Sequence, residues 1–248
     1  MRALILGGTS DANLFADAAA RAGLDAIYSY AGRTRAPTGQ SLPTRVGGFG
    51  GASGLAEYIR REGITHLVDA THPFAAEMSR NAVAACEATR TPLIALEREP
   101  WVKVPGDNWI EVADITSAVA ALPKNPARVL LAIGRQHIKA FSTKPQHVYT
   151  LRFVDAAEGP LPFPHADVIV SRGPFNFAGE LEMICSRGIE WIVARNSGGM
   201  GARAKIDAAR GFGLPVVMVS RPELPARLRV ESVAKVMQWL GHRACLGA

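Results

Sequence analysis

The stretch Ala3-Leu4-Ile5-Leu6-Gly7-Gly8-Thr9-Ser10-Asp11 decides the fold, and it runs into a helical pattern that ends near Ala22. A short apolar run, a glycine pair and a helix start read as a strand–turn–helix unit. The run has no polar alternation, as expected of a strand in a parallel sheet covered by helices on both faces. Glycines let the backbone turn sharply and approach a phosphate, which the helix amides and dipole then hold. Ser10 or Asp11 is placed to cap the helix. The stretch is not a GxGxxG, because Ala12 stands where a later glycine would be. A plain tight turn is the competing reading. Gly8, Thr9 and Ser10 are the candidate phosphate contacts.

Working outward, the same alternation continues along the chain. Strands are expected at Ala3–Leu6, Ala26–Tyr30, Thr65–Asp69, Leu93–Leu96, Val129–Ile133, Val148–Phe153, Val168–Ser171, Trp191–Ala194 and Val216–Val219. Helices are expected at Asp11–Ala22, Gly54–Glu62, Ala75–Thr89, Ile115–Ala121, Glu180–Arg187, Gly201–Phe212 and Val230–Leu240. This predicts an α/β protein: two Rossmann-like domains with largely parallel sheets and a cleft between them. Pro123-Lys124-Asn125-Pro126 marks the boundary, giving domains 1–123 and 127–248. Pro160 to Pro164 reads as a stiff loop within the second domain, and no internal sequence repeat is seen.

Composition narrows the function. The 248 residues are 48% apolar and 20% charged, a globular balance with room for a sizeable core. No apolar run reaches the ~20 residues of a membrane helix. The start of the chain has neither a basic flank nor a small-residue cleavage site, so no signal peptide is expected. Cys86, Cys185 and Cys245 are odd in number and far apart. They suggest no disulfide framework or zinc site, and a cytoplasmic location is expected. Residues 1–125 carry 12 Lys/Arg against 13 Asp/Glu, whereas residues 126–248 carry 16 against 9. The excess is spread as single residues, and aromatics are 7% of the chain. Nucleic-acid binding usually shows a patch with interleaved aromatics, so it is not expected. A second half that holds an anionic small molecule fits the charge better, with solvated surface as the alternative.

Ligands in open α/β sheets sit beyond the carboxyl ends of the strands. After the second strand come Arg33, Thr34 and Arg35, with no acidic residue. In a dinucleotide fold that position meets the adenosine ribose, and arginines there accept the extra phosphate of NADP. The run Gly47-Gly48-Phe49-Gly50-Gly51 follows Arg45. So much glycine is entropically costly unless backbone must touch a ligand or form a nest of amides. Next, Asp69-Ala70-Thr71-His72-Pro73 ends a strand. Thr71 can border the cofactor, and His72 can donate a hydrogen bond or a proton. His66, at the opposite end of that strand, reads as structural.

In the second half Arg135, Arg172, Arg195 and Arg221 each follow a strand. The arginine fork donates two parallel hydrogen bonds to a carboxylate, so arginines gathered at one sheet edge suit a multiply carboxylated substrate. Ser197 and Gly198 belong to a glycine-rich turn, with Lys205 shortly beyond it. The candidate substrate contacts are Arg135, Arg172, Ser197, Gly198, Lys205 and Arg221. The chain has no GxxxxGK[ST], no GxSxG, no YxxxK and no HExxH, and no metal is expected.

Taken together, these stretches resemble the precorrin-6A reductase family. The matching pieces are Ile5-Leu-Gly-Gly-Thr9, Val46-Gly-Gly-Phe-Gly-Gly51, Asp69-Ala-Thr-His-Pro-Phe-Ala75, Gly134-Arg135, Arg172-Gly-Pro-Phe175, Asn196-Ser-Gly-Gly199, Lys205 and Arg221-Pro222. They lie in order over nearly the whole chain. The resemblance implies a two-domain reductase that uses NADPH, or NADH in some members, in cobalamin biosynthesis. It implies reduction of one double bond of the ring-contracted tetrapyrrole precorrin-6A to a dihydro product, precorrin-6B. His72 is then the candidate proton donor, with bound water as its rival. Relatives that act on the cobalt-containing ring are not separated by these residues. A different NADP-dependent reductase and an NADP-sensing regulator are the remaining alternatives. A monomer or weak homo-oligomer is expected.

Overall fold

A computed structural model describes residues 1–32, 39–154, 159–171 and 173–241. The chain divides into two compact units. The first is Met1–Glu99 with Glu223–Ala248, and the second is Pro100–Pro222.

The first unit holds strands β1 (Ala3–Leu6), β2 (Ala26–Tyr30), β3 (Thr44–Val46), β4 (His66–Asp69) and β5 (Leu93–Leu96). Its helices are α1 (Ser10–Arg21), α2 (Gly51–Arg61) and α3 (Ala76–Thr89). The second unit holds β6 (Trp109–Val112), α4 (Ile115–Ala121), β7 (Arg128–Ala132), a 3-10 helix (Arg135–Thr143), β8 (Val148–Phe153) and β9 (Ala166–Val170). It continues with α5 (Phe177–Arg187), β10 (Trp191–Arg195), α6 (Ala204–Gly211) and β11 (Val216–Val219). The chain then supplies β12 (Leu228–Val230) and α7 (Val233–Trp239) to the first unit.

Each unit is built on a six-stranded, wholly parallel sheet, with order β12-β5-β4-β1-β2-β3 in the first and β6-β11-β10-β7-β8-β9 in the second. The expected α/β class and parallel sheets are what the chain forms. The two orders are the same topology, carried by sequences without a visible repeat. The sixth strands are exchanged: β6 follows β5 in the chain but pairs with β11, and β12 follows β11 but pairs with β5.

That exchange moves the domain boundary. Pro123–Pro126 lies inside the second unit, between α4 and β7. Its prolines end α4, whose C-cap Leu122 offers its carbonyl to Lys144 Nζ at 2.7 Å. The chain passes between units at Glu99–Pro100 and again at Pro222–Glu223. The expected domains 1–123 and 127–248 are corrected accordingly.

Burial follows the two-faced pattern. All four residues of β1 are buried. Ile5, Tyr28 and Val68 pack on one face with Phe15 of α1 and Met237 of α7. Leu4, Leu6 and Leu67 pack on the other with Leu55 of α2 and Ala82 of α3. Each fully buried aliphatic side chain contributes about 1.5–3 kcal/mol, which offsets the chain entropy lost on ordering. His66 stacks edge-on against Trp239 at 5.2 Å, in keeping with a structural role.

Candidate active site

In the first unit the strand order reverses at β1, because the chain goes from β1 to β2 on one side and returns from β3 to β4 on the other. Loops leaving β1 and β4 diverge there, which is where open α/β sheets take ligands. Gly7 is required by packing: a Cβ there would lie 2.1 Å from Tyr28 Cζ. The Tyr28 hydroxyl accepts from the Gly8 N–H at 2.9 Å and donates to Asn13 Oδ1 at 2.8 Å. Burial holds this phenol above its ordinary range, so it keeps its proton. Gly8 has φ +112 and open space around its Cα, a conformation that favours glycine.

Thr9, not Ser10 or Asp11, caps α1. Its backbone is extended, and its hydroxyl accepts from the Ala12 N–H at 3.0 Å while donating to Ala70 O at 2.9 Å. Ser10 and Asp11 are already helical, so their amides have no intrahelical acceptor. Arg98, just past β5, reaches both: its Nε is 2.9 Å from Asp11 Oδ2, and its Nη2 donates to Ser10 Oγ at 3.4 Å. Helix amides, a cation and an unobstructed glycine form a donor set that fits a dinucleotide pyrophosphate.

The glycine-rich loop is shaped around Arg45. Its guanidinium donates to Ser29 Oγ at 2.8 Å, Gly47 O at 2.9 Å and Gly48 O at 3.1 Å, and it lies 3.9 Å from the Phe49 ring centre. Gly50 and Gly51 are left-handed, at φ +83 and +82, and α2 starts at Gly51 rather than at the expected Gly54. After β4, the Thr71 hydroxyl donates to Asp69 Oδ1 at 2.7 Å. His72 Nδ1 accepts the Phe74 N–H at 3.2 Å, which leaves the proton of the neutral ring on Nε2. Pairing of Leu6 with Asp69 and Ser29, and of Tyr30 with Val46, brings Gly8–Ser10, Gly47–Gly51 and Thr71–His72 to one sheet edge. Arg33, Thr34 and Arg35 lie outside the described residues.

In the second unit the corresponding reversal is at β7, between β10 and β8. Cations collect at that end. Arg195 closes β10, and its guanidinium lies 3.6 Å from where a Cβ of Gly134 would stand. Arg152 in β8 forms a two-pronged ion pair with Glu180 on α5, at 2.6 and 3.0 Å, and stacks 4.5 Å from the Phe175 ring centre. Lys205 is 7% exposed; its ammonium donates to Ala202 O at 2.6 Å and sits 5.1 Å from the Trp101 ring centre. Its pKa is pushed down to about 8, chiefly by burial, with Glu180 opposing and Arg152 and Arg195 adding. Arg135 opens the 3-10 helix and lies 6.0 Å from the Phe153 ring centre.

Arg221 has a bracing role beside this cluster. It donates to Asn196 O at 3.0 Å and to Ser197 O at 3.2 Å. Trp101 fixes the other side of the turn, exchanging hydrogen bonds with the Asn196 amide at 2.7 and 2.9 Å and donating to Gly199 O at 2.7 Å. Gly198 is buried within it. Arg172 lies outside the described residues.

Sequence reasoning missed Arg98, Arg152 and Glu180. Arg98 follows a strand and was open to the same rule as the others. Arg152 lies inside a strand, and Glu180 inside a helix, where the rule has nothing to say. Among the described residues no group of three or more His, Cys, Asp or Glu is placed to hold a metal ion. No described helix is long and apolar enough to cross a membrane.

Residues 2–241 match the family described as Precorrin-6x reductase CbiJ/CobK. The Precorrin-6A reductase of Rhodobacter capsulatus is 54% identical over 239 residues, covering 96% of this chain and 95% of that one. The Cobalt-precorrin-6A reductase of Priestia megaterium is 28% identical over 232 residues, covering 89% and 91%. A solved structure titled CobK precorrin-6A reductase matches with a TM-score of 0.94 at 53% identity, covering 99% of each chain.

Proposed function

The chain belongs to the precorrin-6x reductase family, and on that premise we propose that it reduces one double bond of precorrin-6A with NADPH, giving precorrin-6B in cobalamin biosynthesis. The observation that carries this reading is the pairing of a phosphate-type helix start in one unit with a cationic strand edge in the other. The higher identity to the relative named for the metal-free substrate favours that substrate over its cobalt complex.

The first-turn amides of α1, with Gly8, Thr9, Ser10 and Arg98, hold the pyrophosphate. Arg33, Thr34 and Arg35 take the 2′-phosphate. The backbone of Gly47, Gly48, Phe49, Gly50 and Gly51, with Thr71, borders the nicotinamide riboside. When bound, the cofactor supplies the hydride. Arg135, Arg172, Ser197, Gly198, Lys205 and Arg221, joined by Arg152 and Arg195, hold the substrate carboxylates and orient the ring. His72 presents its Nε2 proton, and water is the competing donor.

The test is cofactor oxidation, followed by loss of nicotinamide absorbance, with enzymatically made precorrin-6A. Substrate-dependent oxidation of NADPH, slower with NADH, is expected. Arg33→Ala should raise the NADPH Michaelis constant about tenfold or more and leave that of NADH nearly unchanged, as loss of a charge-assisted phosphate contact requires. Equal effects on both cofactors would refute the arginine placement. NADPH binding without turnover would favour a sensor. His72→Ala with near-wild-type turnover would assign the proton to water.

A further inference from the structure

Behind the Thr71–His72 loop lies a buried carboxylate to which the reaction gives no part. The Asp69 side chain is 2% exposed. Its Oδ1 accepts the Thr71 N–H at 3.2 Å and the Thr71 hydroxyl at 2.7 Å. Its Oδ2 accepts the Ser79 hydroxyl at 2.7 Å and lies 4.0 Å from Arg227 Nε. Arg227, in the segment that returns to this unit, is held by Glu97 at 2.7 Å. The carboxylate is thus fixed from a strand end, a helix and the returning segment.

The consequence falls on Thr71. A hydroxyl carries one proton and two lone pairs. The Thr71 proton is committed to Asp69, in a short hydrogen bond to a charged acceptor. Its next polar neighbour is Ser79 Oγ at 3.5 Å, and the Ser79 proton goes to Asp69 as well. Thr71 therefore offers lone pairs and no proton. It stands beside Ala70, whose carbonyl is tied to the cap of α1. A group of that kind reads an N–H or O–H donor and rejects an acceptor, because two facing acceptors leave one unsatisfied.

We propose that Asp69 is a positioning residue that makes Thr71 an obligate acceptor for a hydrogen-bond donor on the nicotinamide riboside of the cofactor, either the carboxamide N–H or a ribose hydroxyl. The proposal rests on the cofactor placement above.

Calorimetric binding of NADPH, its 3-acetylpyridine analogue and 2′-phospho-ADP tests it on the full chain. Asp69→Asn and Thr71→Val should each weaken NADPH about fivefold to tenfold, the worth of one hydrogen bond. Asp69→Asn should add nothing in the Thr71→Val background, because it acts through that hydroxyl. Thr71→Ser should stay within about twofold of the parent. Should Asp69→Asn fail to fold, Asp69→Glu keeps the charge, displaces the carboxylate and should weaken NADPH similarly. The acetylpyridine analogue lacks the carboxamide N–H. If its affinity ignores Thr71→Val, the donor is the carboxamide; if it falls as NADPH does, the donor is a ribose hydroxyl. Binding of 2′-phospho-ADP, which lacks both the nicotinamide and its ribose, should not move in any variant. An Asp69→Asn effect of equal size with and without the Thr71 hydroxyl, no effect at all, or a parallel loss of 2′-phospho-ADP binding would overturn the proposal. Failure of the parent to bind both NADPH and 2′-phospho-ADP would instead sink the cofactor placement, and this proposal with it.

Discussion

In the first unit the loops past β1, β3 and β4 are made of glycine, threonine and backbone amides; Arg98 and Arg227 are paired with Asp11 and Glu97, and Arg45 is held by Ser29 Oγ and the Gly47 and Gly48 carbonyls. In the second unit the loops and strand ends around β7, β8, β10 and β11 carry Arg135, Arg152, Arg195 and Arg221, with Lys205 buried nearby and Glu180 facing them. The strand order is the same in both. One architecture thus provides an amide-rich edge and an arginine-rich edge, and a handful of side chains decides which. The amide-rich edge suits a ligand whose charge is met by helix amides, and the cationic edge suits one whose charges are spread over many carboxylates.

The sharpest way to break this contrast is to remove the counter-charge of the cationic edge. Glu180→Gln leaves Arg152 buried without its partner, and side-chain exposures of 10% and 3% mean that water cannot compensate. A loss of about 3–5 kcal/mol in urea unfolding is expected. Arg98→Gln breaks a pair that is 20% and 32% exposed, and should lose about 1 kcal/mol or less. Similar losses for the two would mean that the edges do not differ in burial of charge.

A smaller effect separates the two glycines just past β1 and β7, the strands at which the two sheet orders reverse. Gly7→Ala drives a Cβ into the Tyr28 ring and should destabilise by about 1–3 kcal/mol. Gly134→Ala meets Arg195 at 3.6 Å, an ordinary contact, and should change stability by no more than about 0.5 kcal/mol. Thermal melts of the two variants check this. If Gly134→Ala proves the more damaging, the Arg195 guanidinium packs more tightly there than the distance implies.

The last contrast is one of pH. Lys205 has a folded pKa of about 8, against an ordinary 10.5, so between those values the unfolded chain binds the extra proton and stability rises with pH. Below about pH 8 the native state bears the penalty of the buried charge in full. Lys205→Met should therefore melt above the parent at pH 7, and the gap should narrow as pH rises from about 8 to about 10. A gap independent of pH would mean that the ammonium is already compensated, and the cationic edge would be one charge poorer than described.

The alternation of strand and helix was legible because continuous runs such as Ala3–Leu6 and Val216–Val219 are buried on both faces and need no periodicity to stand out. The strands that escaped were Thr44–Val46, Trp109–Val112 and Leu228–Val230, at the edges of the sheets. Three or four half-exposed residues carry too little pattern to register. Missing two of them hid the exchange of sixth strands and put the boundary at the most conspicuous prolines. At the site, Thr9 reads from sequence as a ligand contact, and the structure makes it the helix cap. Choosing between neighbouring Thr9 and Ser10 as the cap needs backbone angles that composition does not encode. Arg152 and Asp69 were beyond reach for another reason: what they do depends on partners 28 and 10 residues away in the chain.

The exchange of sixth strands also orders the birth of the molecule. Every strand of the second sheet has been made once residue 222 has left the ribosome, whereas the first sheet waits for Val230 and its α7 cover for Trp239. The unit that is begun first is completed last. Throughout most of translation its edge strand β5 stands without β12, and Arg227 is not yet there to meet Asp69 and Glu97.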